Sequence, residues 1–161
     1  MESGTYVEIP HSFYVAGMLA MVDDALKFPL PDPKDRMPTI LVVDDEVLIR
    51  MAVSDFLQEC GFKVLEAGTA AEAIEMIQSH QSVIDLVFSD VRMPGDMDGF
   101  GLSKWIRTNT GLPVILASGD AKKSDAAHEL CAKEPFLRKP YDLDYVVAQI
   151  RQTIDARKKS P

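Results

Sequence analysis

Between Thr39 and Arg157, short apolar runs alternate with segments whose apolar residues recur every three or four positions. Ile40 to Val43 is an unbroken aliphatic run, the pattern of a strand buried on both faces. Ile49, Val53, Phe56 and Cys60 follow at helical spacing, and Gly61 supplies a stop. Lys63 to Ala67 then reads as a strand. Thr69, with Glu72 three residues on, forms a capping box for a helix through about Ser79. Asp85 to Ser89 is a third strand, ending at Asp90, and the loop RMPGDMDG leads to a helix carrying Leu102, Trp105 and Ile106. Pro113 to Ala117 predicts a fourth strand, 121–132 a helix, and Pro135 to Arg138 a short fifth strand. Leu143, Val146, Val147, Ile150 and Ile154 mark the inner face of a last helix. Five strands alternating with five helices predict an α/β fold with a doubly wound parallel sheet, because each parallel connection needs a crossover.

The polar residues that end these strands share one sheet edge in such a fold. Asp44 and Asp45 follow the first strand, Asp90 the third, Ser118 the fourth and Lys139 the fifth. Taken singly, each has an ordinary structural explanation as a turn former, helix cap or surface residue. Their convergence is less ordinary. Ligands of open α/β sheets bind at the carboxyl ends of the strands, and clustered carboxylates repel unless something positive lies between them. A hard cation such as Mg²⁺ suits the carboxylates, while a hydroxyl and an ammonium suit phosphoryl oxygens.

Composition narrows the function class. The 161 residues are 47% hydrophobic, enough for one full core and an appendage. A formal net charge of -8 argues against nucleic-acid binding, which needs a basic stripe. Cys60 and Cys131 make neither a disulfide framework nor a zinc site, and they read as reduced core residues of a cytoplasmic protein. The apolar stretch from Phe13 to Val22 is too short to span a bilayer and lacks the basic lead-in of a signal peptide.

VDDE, SDVRMPG…DG, ILASGD and RKP occur in this order, and on these residues the chain resembles the receiver domain of two-component response regulators, from Thr39 to about Arg157. The resemblance implies a flavodoxin-like (βα)5 sheet of strand order 2-1-3-4-5. It implies that Asp90 accepts a phosphoryl group from a sensor histidine kinase or histidine phosphotransfer protein. Asp45, Asp90 and the Arg92 carbonyl would bind Mg²⁺ directly, with Asp44 assisting through water. Ser118 and Lys139 would contact the phosphoryl oxygens, Phe136 would be the aromatic switch, and the Lys139–Pro140 bond would be cis. Arg92 and Asp120, two residues beyond the phosphoacceptor and the hydroxyl, would modulate hydrolysis.

Two features depart from the commonest pattern. The loop RMPGDMDG carries one extra residue before Asp98-Gly99, which predicts a local bulge, and the switch position is Phe136 where tyrosine is frequent. Residues 1–38 form an N-terminal extension outside the resemblance, with an apolar helix at about 12–27 and a Pro-rich linker; residues 39–157 are the receiver, and 158–161 a tail. Apolar on most sides, that helix requires a partner, either the receiver or a second copy in a homodimer; the alternative reading is that translation naturally begins at Met37 and the upstream segment is a gene-start artefact. Nothing remains of the chain for an output domain, so the expectation is a stand-alone receiver that is not an enzyme and signals through protein contact to a downstream target. The competing readings are a haloacid-dehalogenase-type phosphohydrolase and a receiver-like module that binds without phosphorylation. The former places a second acid two residues after its nucleophile, where this chain has Arg92; the intact set of site residues counts against the latter.

Overall fold

The computed structural model describes residues 36–119 and 135–159. The expected N-terminal helix and linker, the helix at 121–132, Asp120 and Cys131 lie outside the described residues. Five strands are present: β1 (Thr39–Val43), β2 (Lys63–Ala67), β3 (Ile84–Asp90), β4 (Val114–Ser118) and β5 (Phe136–Arg138). Four helices accompany them among the described residues: α1 (Val47–Glu59), α2 (Ala70–His80), α3 (Gly99–Asn109) and α4 (Leu143–Lys159). All strand pairs are parallel, and the sheet order is β2-β1-β3-β4-β5. The expected strands therefore occur in the expected order, with boundaries displaced by one residue or so.

The side-chain period of two along β1 sorts the core into two layers. Leu41 and Val43 face the cluster built with Ala73 and Ile77 of α2 and Leu102 and Ile106 of α3. Ile40 and Val42 face the cluster built with Val53 and Leu57 of α1 and Val146, Ile150 and Ile154 of α4. Because helices cover both faces, all five residues of β1 are buried. Edge strand β2 is covered less completely, and only Ala67 of its five residues is buried.

Local chemistry sets the element ends. Gly61, at φ +87°, closes α1: its N–H donates to Gln58 O, and Phe62 N–H to Leu57 O, the paired bonds of a Schellman stop. Thr69 Oγ1 accepts from Glu72 N–H at 3.2 Å. Glu72 reaches back, but to Gly68 N–H at 2.7 Å, one residue before the cap. A cap of this kind is worth about 1 kcal/mol. Asp98 Oδ1 accepts from Gly101 N–H at 3.0 Å at the start of α3. Gly99 is required there for a different reason: a Cβ would overlap the Asp90 carbonyl, so only glycine lets α3 begin against the end of β3. In the loop before it, Gly95 turns the chain at φ +108°.

Strand order decides where a ligand can enter. From β1 the chain moves outward to β2 and then returns past β1 to β3, so the crossover helices diverge and a crevice opens at the carboxyl ends of β1 and β3. Among the described residues, no helix is long and apolar enough to cross a membrane.

Candidate functional site: an acidic cleft with a shared lysine

Asp44 follows β1 and Asp90 ends β3, adjacent strands in the sheet, and both are buried. Lys139, just beyond β5, reaches across to them: Nζ lies 3.1 Å from Asp44 Oδ2 and 3.0 Å from Asp90 Oδ1. The remaining oxygens are held by backbone. Asp44 Oδ1 accepts from Glu46 N–H at 2.9 Å, and Asp90 Oδ2 from Arg92 N–H at 3.0 Å. Asp45, the next residue, differs sharply. Its carboxylate is exposed, lines the cleft, and has no hydrogen-bond or ion-pair partner among the described residues.

One ammonium shared between two carboxylates leaves the site short of positive charge. Burial pushes the Asp90 carboxyl above the usual carboxylate value; the bond and charge of Lys139 oppose this, nearby Asp44 adds to it, and the net direction is up. Burial alone would lower the Lys139 ammonium, but its bonds to Asp90 and Asp44 outweigh that and hold it above its ordinary value. The two directions agree physically, since the lysine has two counter-charges and Asp90 only half of one.

The cleft has a volume of about 310 Å³ and is bordered by Asp45, Glu46, Asp90, Arg92, Lys139 and neighbouring loop residues. Among the described residues no three acidic, histidine or cysteine side chains converge as a ready metal cage. Mg²⁺ does not need one: it is held by one or two carboxylates and keeps several waters. Asp45 and Asp90, in a site with surplus negative charge, fit that donor set. Ser118 is fully buried at the end of β4 and does not border the cleft. Phe136 is half-buried against the core and pairs in register with Leu116. The Lys139–Pro140 bond is cis.

Lys139 also borders a second concavity of about 560 Å³, formed by Leu48, Ile49, Ala52 and Val53 of α1 with Pro140, Tyr141 and Leu143. This groove is apolar. Tyr141 packs edge-on to Phe88, with ring centroids 5.8 Å apart, and its buried hydroxyl has no hydrogen-bond partner among the described residues; burial pushes it up to about 12. Leu48, Val47 and Met51 are exposed along α1.

The family model for the response regulator receiver domain matches residues 40–151. The chain belongs to this family. Among solved structures, this receiver is similar to a CheY-like response regulator receiver domain protein from Methanospirillum hungatei JF-1, with TM-score 0.68, 26% identity, and coverage of 77% of this chain and 98% of that one. It is also similar to the signal receiver domain of an HD domain-containing protein from Pseudomonas fluorescens Pf-5, with TM-score 0.69, 26% identity, and coverage of 78% and 100%. Among curated proteins it is 37% identical over 93 residues to the two-component response regulator ARR2 of Arabidopsis thaliana, 58% of this chain and 14% of that protein. It is 34% identical over 119 residues to the sensor kinase CckA of Brucella abortus (strain 2308), 73% of this chain and 12% of that protein. The receiver thus spans only a small part of the length of these two curated relatives.

Sequence reasoning missed two residues near the site, Arg50 and Tyr141. Tyr141 left no readable signal, being one more aromatic beside a proline. Arg50 did leave one: it is a cation in the first turn of α1, the end of a helix where the dipole disfavours positive charge.

Proposed function

We propose that this receiver takes a phosphoryl group on Asp90 from a phosphohistidine of a sensor kinase or phosphotransfer protein. In that step the phosphohistidine N–P bond breaks and an Asp90 O–P bond forms. The N–P electron pair returns to the imidazole, which leaves neutral when its other nitrogen carries the proton. The observation that carries this reading is the lysine shared by Asp44 and Asp90 beside the unpartnered Asp45. Such a site holds a nucleophilic carboxylate, a cation for the phosphoryl oxygens and a vacant acid in one cleft.

Asp45, Asp90 and the Arg92 carbonyl would hold Mg²⁺, with Asp44 assisting through water. Bound there, the ion would offset repulsion between Asp90 and the incoming phosphoryl group. Lys139 is within bonding reach of Asp90 and meets the transferred oxygens as they arrive. Phosphorylation places about two negative charges where one stood, and the Ser118 hydroxyl turns toward them from the end of β4. Phe136, on the adjoining strand, moves into the space released, a shift between two packings that alters the surface around β4 and β5. Arg92 and Asp120, two positions beyond Asp90 and Ser118 in the sequence, would set how long the phosphoryl group lasts.

A protein donor has to cover the cleft to bring its phosphohistidine to Asp90. Its flanks then meet the apolar groove on the other side of Lys139 and the exposed Val47, Leu48 and Met51 of α1, which suits an apolar helical surface on the donor.

Acetyl phosphate with Mg²⁺ tests the assignment without any protein donor. Labelling is expected at Asp90 and should disappear in Asp90→Asn while circular dichroism stays unchanged. Full labelling of Asp90→Asn at another residue would overturn it.

A further inference from the structure

Arg50 is a charged side chain only 16% exposed, placed where the α1 dipole opposes it. Its guanidinium faces two ways. Nε lies 3.2 Å from Glu66 Oε2 on β2, and Nη1 donates to the backbone carbonyl of Asp44. The same stretch of β2 holds the other side of the turn, where Ala67 O accepts from Asp44 N–H at 3.2 Å.

The Asp44 carbonyl belongs to the peptide unit whose nitrogen is that of Asp45. Fixing this carbonyl fixes the plane from which Asp45 leaves the backbone. Asp44 has further restraints on its side chain, but the Asp45 carboxylate has none of its own among the described residues. We propose that Arg50, braced by Glu66, is a positioning residue for the metal-binding carboxylate, setting the aim of Asp45 through the Asp44–Asp45 peptide. This rests on the reading of Asp45 and Asp90 as the Mg²⁺ ligands. Groups that orient ligands in this way commonly change metal affinity by about 10- to 100-fold when removed.

Charge and geometry predict opposite signs, which makes the inference testable. Considered only as a nearby positive charge, Arg50 repels Mg²⁺, and its removal would tighten binding. As a positioning residue it does the reverse. Mg²⁺ alone is titrated into the full-length protein and followed by amide chemical shifts. Arg50→Met is expected to weaken binding about tenfold. Arg50→Lys keeps the charge and much of the stem but cannot bridge Glu66 and the Asp44 carbonyl together. It is expected to weaken binding several-fold, and it decides the question if Arg50→Met does not fold. Unchanged or tighter binding in the folded variants overturns the proposal, even if their melting temperatures fall. The site reading is checked separately by Asp45→Asn and Asp90→Asn. If neither weakens Mg²⁺ binding, that reading fails; if both do and the Arg50 variants match the wild type, only the positioning role fails.

Discussion

Lys139 divides two concavities with opposite chemistry. On one side its ammonium bonds Asp44 and Asp90 in a cleft bordered mostly by charge; on the other its stem borders a groove of Leu48, Ile49, Ala52, Val53, Tyr141 and Leu143. A long amphipathic side chain can serve both surfaces at once. On the proposed reading the two surfaces have separate tasks: the cleft would supply reaction chemistry for any phosphodonor, while the groove would contribute only when the donor is a protein large enough to reach it. Variants on the two sides should therefore respond differently to a small and a protein donor.

The largest effect is expected from Lys139→Met. Removing a preorganised charge from such a site costs about 10²- to 10³-fold in rate, so labelling by acetyl phosphate and by a protein donor should both collapse. Equal labelling of wild type and variant would break the division at its centre. Leu48→Glu should leave acetyl phosphate labelling intact and slow transfer from a phosphorylated partner protein by about tenfold, the consequence of losing an interface contact worth more than 1 kcal/mol. A similar loss with both donors would mean that the groove is part of the cleft's chemistry.

A third prediction concerns stability in the cleft. Because Asp90 has its folded-state pKa raised, its protonated form is favoured by folding; that contribution is present below the ordinary carboxylate value and is lost as pH rises through the folded value. Asp90→Asn should therefore melt a few degrees higher than wild type at neutral pH, with the gap closing toward pH 3. A gap that widened on acidification would reverse the sign. The smallest effect is expected at the rim, where Arg92 is exposed. Exposed ionic contacts are worth about 0 to 1 kcal/mol, so Arg92→Ala should shorten the phosphoryl half-life by at most about fivefold. A longer half-life would show that Arg92 does not hinder water.

Much of the fold was legible because its signals are local. The ILVV run, the Thr69–Glu72 pair and the Gly61 stop each act within a few residues, and each occurs where the pattern places it. Helix α1 was read less well: Val53 is buried with Leu57, while Ile49, Phe56 and Cys60 are only partly buried against the same cluster, because how closely the sheet and its neighbours cover each position is not written in the period. Ser118 was legible as a strand-end residue, but not as a fully buried one.

For the site, the order of elements was enough to bring Asp44, Asp45, Asp90, Ser118 and Lys139 to one edge, since parallel strands all present their carboxyl ends on the same side. Whether adjacent acids would be equivalent was beyond that argument. Asp44 is bound by a lysine 95 positions away and Asp45 is left open, and Arg50 is committed to Glu66 through a helix-to-strand contact. Such differences arise through space. A sequence pattern determines which face and edge a residue occupies because backbone periodicity is local, whereas charge pairing and desolvation depend on neighbours that only the packed sheet and helices bring within about 3 Å.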